Sequence, residues 1–202
     1  MRYTVSYGRA LVALAVPWGV LLAWPSAGAA QTLTGQAISA RATLTSLLGS
    51  TTTTLADTGK LSGPADARRA SQLTGSIPLL LTGETLHGVT IGWPDQVASE
   101  AGLTGLSLGL TGISIRADLV MARVLALLGG EHTGISSIDR LSVNGVPITV
   151  TGAPNQTIYV PGGVLVINEQ LTSSASTVVN ALHLTVDGVA DVVIASATAG
   201  IQ

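Results

Sequence analysis

Apolar residues alternate with small polar ones along most of this chain, in which leucine, valine, threonine and serine are abundant. Successive side chains of a β-strand point to opposite faces of the sheet, so a period of two with β-branched residues predicts half-buried strands. The clearest case is "TVVNALHLTVDGVADVVIASATAGI", residues 177–201. This run predicts a strand, a turn and a second strand.

Turn signals separate the alternating runs. An Asn-Gly pair strongly predicts a hairpin, because a type I′ turn needs two positive φ angles. The four predicted turns are Asn144-Gly145, Pro161-Gly162-Gly163, Asp187-Gly188 and a turn near Thr111-Gly112 whose register stays open. Several short strands with such turns between them predict a sandwich or a barrel.

Helix signals are few. Residues 63–72, with Pro64 near their start, are compatible with one short helix. Residues 116–130 are helical by composition, but apolar residues alternate over 113–121, which favours a strand for the first half. We therefore predict an all-β, mainly antiparallel sandwich, with a β-barrel as the alternative and little or no helix beyond the N-terminal leader.

The first 29 residues have the pattern of a secretory signal peptide. Arg2 and Arg9 precede an uncharged apolar core, residues 10–24, and Ala27-Gly28-Ala29 offers a small-residue cleavage site. The core is shorter than the roughly 20 residues of a membrane span and is interrupted by Pro17. We predict cleavage near Ala29 or Ala30, without stable membrane insertion afterwards.

The leader sets the predicted organisation and location of the chain. Residues 1–29 are the signal peptide, 30–54 are a Thr/Ser-rich segment that leads into the domain, and 55–202 form one β domain. No cysteine follows the apolar core, which excludes a lipoprotein anchor. The protein is predicted to be secreted or extracytoplasmic, in the periplasm or at the cell surface.

Composition limits the classes of molecule that the protein is expected to bind. Without Arg2 and Arg9, seven of the nine basic residues remain against eleven acidic ones, a net charge of −4. Trp93 and Tyr159 are then the only aromatic residues. Nucleic-acid binding uses clustered basic residues and stacking aromatics, so we predict no nucleic-acid partner. Sugar binding is disfavoured for the same lack of aromatic residues. Because the chain has no cysteine, its stability has to come from packing and sheet hydrogen bonds instead of disulfide bonds.

Metal ligands are sparse in this sequence. The three histidines, His87, His132 and His183, are far apart and form no H-x-x-x-H pair. The Glu131-His132 pair lies in a glycine-flanked loop and lacks partners. We predict no zinc site.

Calcium is a closer alternative, because Asp187, Asp191 and Glu169 would supply carboxylate ligands if they met at one end of a sheet. Calcium takes six or more oxygen ligands, however. We expect Asp187 to serve its turn and Asp191 to face water, and we predict no metal and no cofactor.

Catalytic motifs are equally sparse. No G-x-S-x-G nucleophile elbow occurs. Trp93 is expected to tuck its ring against the sheet, with an exposed ligand contact as the alternative. In "NEQ", residues 168–170, Asn168 and Gln170 share one face and Glu169 the other, and the amides are expected to cap backbone groups where the strand ends.

His183 lies in the middle of a predicted strand. Alternation places it on one face with Val179, Ala181 and Thr185. It opposes Val192 if the turn has two residues and Ile194 if the loop has four. We expect a partly covered ring over aliphatic neighbours, with one nitrogen hydrogen-bonded.

Four segments of the chain resemble a known family. They are "LADTGKL" (55–61), "SEAGLTGLSLGLTGISIRADLVMARV" (99–124), "LSVNGVPITVTGAPNQTIYVPGGVLVINEQ" (141–170) and "VNALHLTVDGVADVVIASATAGI" (179–201). The likeness is to the choice-of-anchor P family of bacterial exported proteins, and "PNQTI", "VLVINEQ" and "VNALH" in this order are its most specific part. It implies an exported domain of no established biochemical function and supplies no catalytic residue. The chain departs from the family in having no apolar tail after Ile201-Gln202 and no cysteine near "GGEHTG".

Two functions remain open. The first is a non-catalytic structural or interaction protein of the bacterial envelope or surface, bound to an envelope component that sequence does not name. The second is an extracytoplasmic hydrolase with a dispersed site drawn from His87, His183, Glu169 and Asp191. Convergence of two of these residues in a pocket favours the second.

Overall fold

The computed structural model describes residues 31–202, and the predicted leader, residues 1–29, lies outside them. Every secondary-structure element assigned in this range is a β-strand. They are β1 (Leu33–Ser46), β2 (Gly49–Asp57), β3 (Ala67–Ile77), β4 (Leu81–Gly92), β5 (Gln96–Leu110), β6 (Ile113–Leu127), β7 (His132–Asp139), β8 (Ser142–Val143), β9 (Val146–Pro147), β10 (Gln156–Val160), β11 (Gly163–Thr172), β12 (Thr177–Val186) and β13 (Ala190–Ile201).

The strands form two antiparallel sheets packed face to face. The six-stranded sheet has the order β10-β11-β12-β13-β1-β2. The seven-stranded sheet has the order β3-β4-β5-β6-β8-β9, and β7 also pairs with β6. The sandwich prediction is therefore confirmed over its alternative. Among residues 31–202, no helix is long and apolar enough to span a membrane.

Two sequence expectations about local structure were wrong. Residues 67–72, in the segment compatible with a short helix, belong to β3, because they pair in register with β4. The Thr/Ser-rich segment 30–54 does not merely lead into the domain. It supplies β1 and most of β2, and β1 pairs with β13 along nearly its whole length.

The turn signals gave the hairpins correctly, with one error of length. Asn144 and Gly145 both have positive φ, 51° and 79°, as a type I′ turn requires. The turn after β12 has three residues, because Val186 pairs with Ala190. Neither of the two predicted loop lengths is right, and His183 opposes Val193.

The buried face changes partway along the six-stranded sheet. On β13, Val192 and Ile194 are buried at even positions, whereas Ala197 and Ala199 are buried at odd positions. The change is centred on Ala195, whose φ is 54°. Two other residues of positive φ, Ala56 on β2 and Asn168 on β11, occupy the same row across the sheet. A residue in the left-handed region interrupts regular alternation, so strict period two fails at this row.

The core between the sheets is aliphatic and is crossed by hydroxyl hydrogen bonds. Its largest fully buried side chains are those of Leu81, Leu86, Leu103, Leu108, Ile115, Leu165, Ile167, Leu182, Leu184, Ile194, Val97 and Val120. Ser39 Oγ on β1 donates to the His87 carbonyl on β4 over 2.7 Å. Ser99 Oγ on β5 donates to the Thr198 carbonyl on β13 over 2.6 Å. Because these small polar residues are satisfied, they tie the sheets together without a cost for burying an unpaired hydroxyl.

Candidate functional site

Three of the four candidate catalytic residues meet on the outer face of the six-stranded sheet. His183 lies between two carboxylates: its Nδ1 is 2.9 Å from Glu169 Oε2, and its Nε2 is 2.9 Å from Asp191 Oδ2. Asn180 Nδ2 donates to the same Glu169 oxygen over 2.6 Å. The Thr185 hydroxyl lies 3.4 Å from His183 Nε2. We call His183, Glu169 and Asp191 the His183 cluster.

The row of positive φ angles explains why this cluster forms. Ile167 pairs with Leu182, and both are core residues; Glu169 pairs with Asn180 two positions further on. Strict alternation would place Glu169 on the core face with Ile167. The left-handed Asn168 breaks that alternation, and Glu169 instead contacts His183 on the outer face. The alternation of the sequence gave no sign of this change, although a strand-interior asparagine is a residue that tolerates positive φ.

The prediction for His183 is therefore corrected in two ways. Both ring nitrogens, not one, are hydrogen-bonded to side chains. Val179 and Ala181 are fully buried in the core and do not share its outer face. Asp191 is half-exposed as expected, but it also binds the ring instead of only facing water.

The charges around the ring favour the imidazolium. Partial burial by itself lowers the pKa of His183, because it disfavours the charged form. The hydrogen bonds to Asp191 and Glu169 outweigh burial, so the pKa of His183 is raised above its ordinary value. Protonation of the ring is thus favoured by the two carboxylates that it contacts.

The fourth candidate residue, His87, lies on the other sheet. Its Nε2 is 3.0 Å from Glu100 Oε1, and Arg123 Nε hydrogen-bonds the second oxygen of the same carboxylate. His87 does not contribute to the His183 cluster. Gly102 makes the His87 contact possible, because a Cβ there would lie 2.9 Å from His87 Cε1.

The remaining candidate residues are dispersed. Asp187 lies in its turn and is not bonded to the cluster. His132 opens β7, and its Nδ1 is 3.4 Å from the Thr177 hydroxyl. Trp93 is one-third exposed, at 37 % of its surface, so its ring is partly covered.

The amides of "NEQ" cap backbone groups, which confirms their predicted role. Asn168 Nδ2 donates to the Gly152 carbonyl over 3.0 Å, and Gln170 Nε2 donates to the Gly134 carbonyl over 3.0 Å. The bond to Gly134 joins β11 to β7 of the other sheet. The strand itself continues to Thr172 and does not end at these residues.

Metal binding has no arranged ligand set in the described range: no group of three or more His, Cys, Asp and Glu side chains in residues 31–202 has the geometry to hold an ion. The ring of His183 already occupies the space between Glu169 and Asp191.

Added calcium is therefore expected to leave the thermal melt of the protein unchanged, and so is EDTA. A cation bound only to the native state would stabilise it by about 2.7 kcal/mol at a hundredfold excess over its dissociation constant. Scanning calorimetry with EDTA and with calcium measures this. A calcium-dependent rise of several degrees would show that Asp191 and Glu169 bind the ion in place of His183.

A second feature, which sequence reasoning missed, is a groove on the outer face of the seven-stranded sheet. It follows β5 and has a volume of about 500 Å³. Its lining residues are Val89, Ile91, Ala98, Ser99, Glu100, Arg123, Val124, Leu125, Thr133 and Ile135. We call this feature the β5 groove. Its volume lies within the range of sites that hold small ligands or short segments.

Strand register explains the shape of the β5 groove. One row across the sheet places the small Ala98 between Ile91 and Leu125, so the floor is lower than its two walls. Ile135 stands on β7 beside Arg123 and is more than half exposed. Outward apolar residues at alternate positions of several strands were the available signal, but their alignment depends on register, which the sequence did not provide.

Comparison with known proteins does not assign the chain to a family: no family model, no curated protein and no solved structure matches it significantly. The likeness to the choice-of-anchor P family stays a prediction.

Proposed function

We propose that this protein is an exported, non-catalytic interaction module of the bacterial envelope or surface, and that the β5 groove holds an extended apolar segment of its partner. The observation that carries the proposal is the groove itself. Its walls are apolar side chains, including Leu125 and Ile135, that stay exposed on a rigid sheet. Exposed apolar surface of this kind marks interaction sites.

The arrangement of the groove favours an extended segment. The walls repeat at every second residue of neighbouring strands, a spacing of about 6.6 Å that an extended polypeptide shares. Glu100 is already bonded to both His87 and Arg123. The polar groups of the floor are therefore internally paired, and the affinity for a partner comes from the apolar walls.

Replacing the walls is expected to weaken binding to the envelope. The double variant Leu125→Ser/Ile135→Ser removes two partly exposed apolar side chains, each worth about 1 kcal/mol when covered, so we expect a roughly 30-fold weaker affinity and a correspondingly lower retained fraction. The measurement is retention of purified protein on fractionated cell envelope. Leu171→Ser, which removes an exposed leucine outside the groove, is the matched control. Equal retention of the double variant and wild type would contradict the proposal.

The His183 cluster favours a second candidate, an extracytoplasmic hydrolase. Glu169, His183 and the Thr185 hydroxyl lie in the order of a carboxylate, a base and a nucleophile. His183 Nε2 lies 2.9 Å from Asp191 Oδ2 and 3.4 Å from the Thr185 hydroxyl. The nitrogen that would activate the hydroxyl is therefore bonded more closely to a carboxylate, which weighs against this candidate. Hydrolysis of nitrophenyl esters by wild type and by Thr185→Val tests this candidate. Activity that disappears with the Thr185 hydroxyl would favour the enzyme.

A further inference from the structure

Six turns meet at one end of the sandwich. They are residues 47–48, 78–80, 111–112, 144–145, 161–162 and 187–189. We call this end the turn end. Their shared position follows from pairing within each sheet and from two contacts between the sheets.

Two contacts between the sheets fix the relative direction of β1 and β4. Ser39 on β1 is bonded to the backbone of His87 on β4, and Gly35, earlier on β1, lies against Thr90, later on β4. From this level β1 runs forward to Ser46, and β4 runs backward to Leu81, over nearly the same number of residues. The turn after β1 and the turn before β4 therefore lie at the same end.

Pairing brings the other four turns to this end. Leu81 pairs with Leu108 near the turn before β6, and Ile115 pairs with Val143 beside the turn before β9. In the other sheet, Leu44 pairs with Ala190 just after the turn before β13. The turn before β11 lies alongside, since Gly163 pairs with Val186.

The turn end carries leucines that nothing covers. Leu47, Leu48 and Leu79 are exposed over 106 %, 101 % and 104 % of their reference surface. Val146 and Val189, at two further turns, are also exposed. Large apolar side chains that project this far from a folded surface mark an interaction site, where binding removes them from water.

Leu79 occupies a backbone position that favours glycine. The Leu80 amide donates to the Ile77 carbonyl, which closes a turn with Pro78 and Leu79 at its centre. Leu79 has a φ of 62°, as the third residue of a type II turn requires, and glycine is preferred there. Leucine at a strained backbone position, with its side chain in solvent, indicates that the side chain serves something other than folding.

Charge separates the two ends of the sandwich. Asp187 is the one charged residue among the six turns, all of which lie in the described range. At the opposite end, the connections around residues 58–66, 93–95 and 128–131 contain Lys60, Asp66, Asp95 and Glu131. The turn end is thus nearly uncharged as well as apolar.

We propose that the turn end inserts shallowly and reversibly into the hydrocarbon boundary of a lipid bilayer, with Leu47, Leu48 and Leu79 as the inserted side chains. A fluid hydrocarbon phase accepts side chains that project singly from separate turns, whereas a folded partner needs a matching pocket for each. No Lys or Arg lies among the six turns, so anionic lipid is not needed for this contact. The contact is peripheral and differs from the stable insertion that the sequence argued against.

Vesicle co-sedimentation of the full chain, recovered from the extracytoplasmic fraction, tests the proposal. Wild type should bind phosphatidylcholine vesicles, and replacing part of that lipid with phosphatidylglycerol should not raise the binding. The variant Leu47→Ser/Leu48→Ser/Leu79→Gly should lower the partition coefficient about tenfold or more, because burying one leucine already contributes about a factor of ten. Leu79→Gly alone should lower binding without lowering the melting temperature, since it relieves the strained backbone.

The control variant is Leu128→Ser/Leu171→Ser, which removes two exposed leucines near the opposite end. It should bind vesicles as wild type does. Absence of wild-type binding, or an equal loss in this control, would overturn the proposal. Gel filtration distinguishes lipid insertion from dimerisation through the turn end. If wild type is a dimer, the triple variant is a monomer and vesicle binding is the same in both, the turn end binds a second copy of the chain instead.

Discussion

Gly163→Ala is expected to destabilise the protein by about 3 kcal/mol or more, because the added methyl group has no room. A Cβ at Gly163 would collide with the Thr185 carbonyl oxygen and would lie 2.9 Å from Val186 Cα. Both are backbone atoms of β12, so no side-chain rotation relieves the clash. The pairing of β11 with β12 has to shift instead. Urea denaturation of the variant and wild type measures the difference in the free energy of unfolding.

Gly162→Ala is the matched control, because it adds the same methyl group one residue earlier. Gly162 has a φ of 71°, which alanine adopts at a cost, but the nearest atom to its Cβ is 3.8 Å away. We expect a loss of about 1 kcal/mol from the backbone conformation alone. Equal losses in the two variants would mean that β11 and β12 are not in this register.

His183→Gln is expected to cost about 2–3 kcal/mol near pH 6, more than a single hydrogen bond contributes. The substitution removes the cation between Glu169 and Asp191 and leaves two carboxylates facing a neutral amide. Glu169 has only 15 % of its side chain exposed, so water replaces the lost partner poorly. Retention on the envelope should be unchanged, because the His183 cluster and the β5 groove lie on different sheets.

The cost should also depend on pH. The pKa of His183 is raised in the folded protein, so its contribution is fully present below the unfolded pKa of about 6.5 and is lost as pH rises through the folded value. The stability difference between wild type and His183→Gln should therefore be largest at about pH 6 and shrink as the pH rises above the unfolded pKa of about 6.5. His87→Gln, which breaks a more exposed His–Glu contact, should cost about 1 kcal/mol or less. A His183 variant that loses no more than this control would contradict a stabilising role for the second carboxylate.

Sequence periodicity predicted the fold class because most strands keep period two and their turns have strong local signals. Asn144-Gly145 is such a case, since its two positive φ angles follow from residue type. The segment 67–72 is the opposite case. Its helical composition was overridden by pairing with β4, a contact between segments that composition does not contain.

The His183 cluster could be predicted only in part. His183, Glu169 and Asp191 were identified as candidates, but strict alternation separates them. Their meeting depends on the left-handed Asn168 and on a three-residue turn that sets the register of β13. A change of one residue in a turn changes which side chains lie opposite each other, and the sequence left that length open.

The β5 groove could not be predicted at all, for a related reason. Ala98, Leu125 and Ile135 are unremarkable as single residues, and isolated exposed apolar side chains are normal. The groove exists because β4, β5, β6 and β7 align a small residue between large ones. Its existence is therefore a property of register across four strands.

Site-specific photo-crosslinking in living cells tests the groove most directly. A photoreactive amino acid at Ile135, on the wall of the β5 groove, should form one discrete adduct with an envelope component. The same amino acid at Thr54, an exposed residue of β2 in the other sheet, should form none. Adducts of equal yield at both positions, or none at Ile135, would contradict the assignment of this face to a partner.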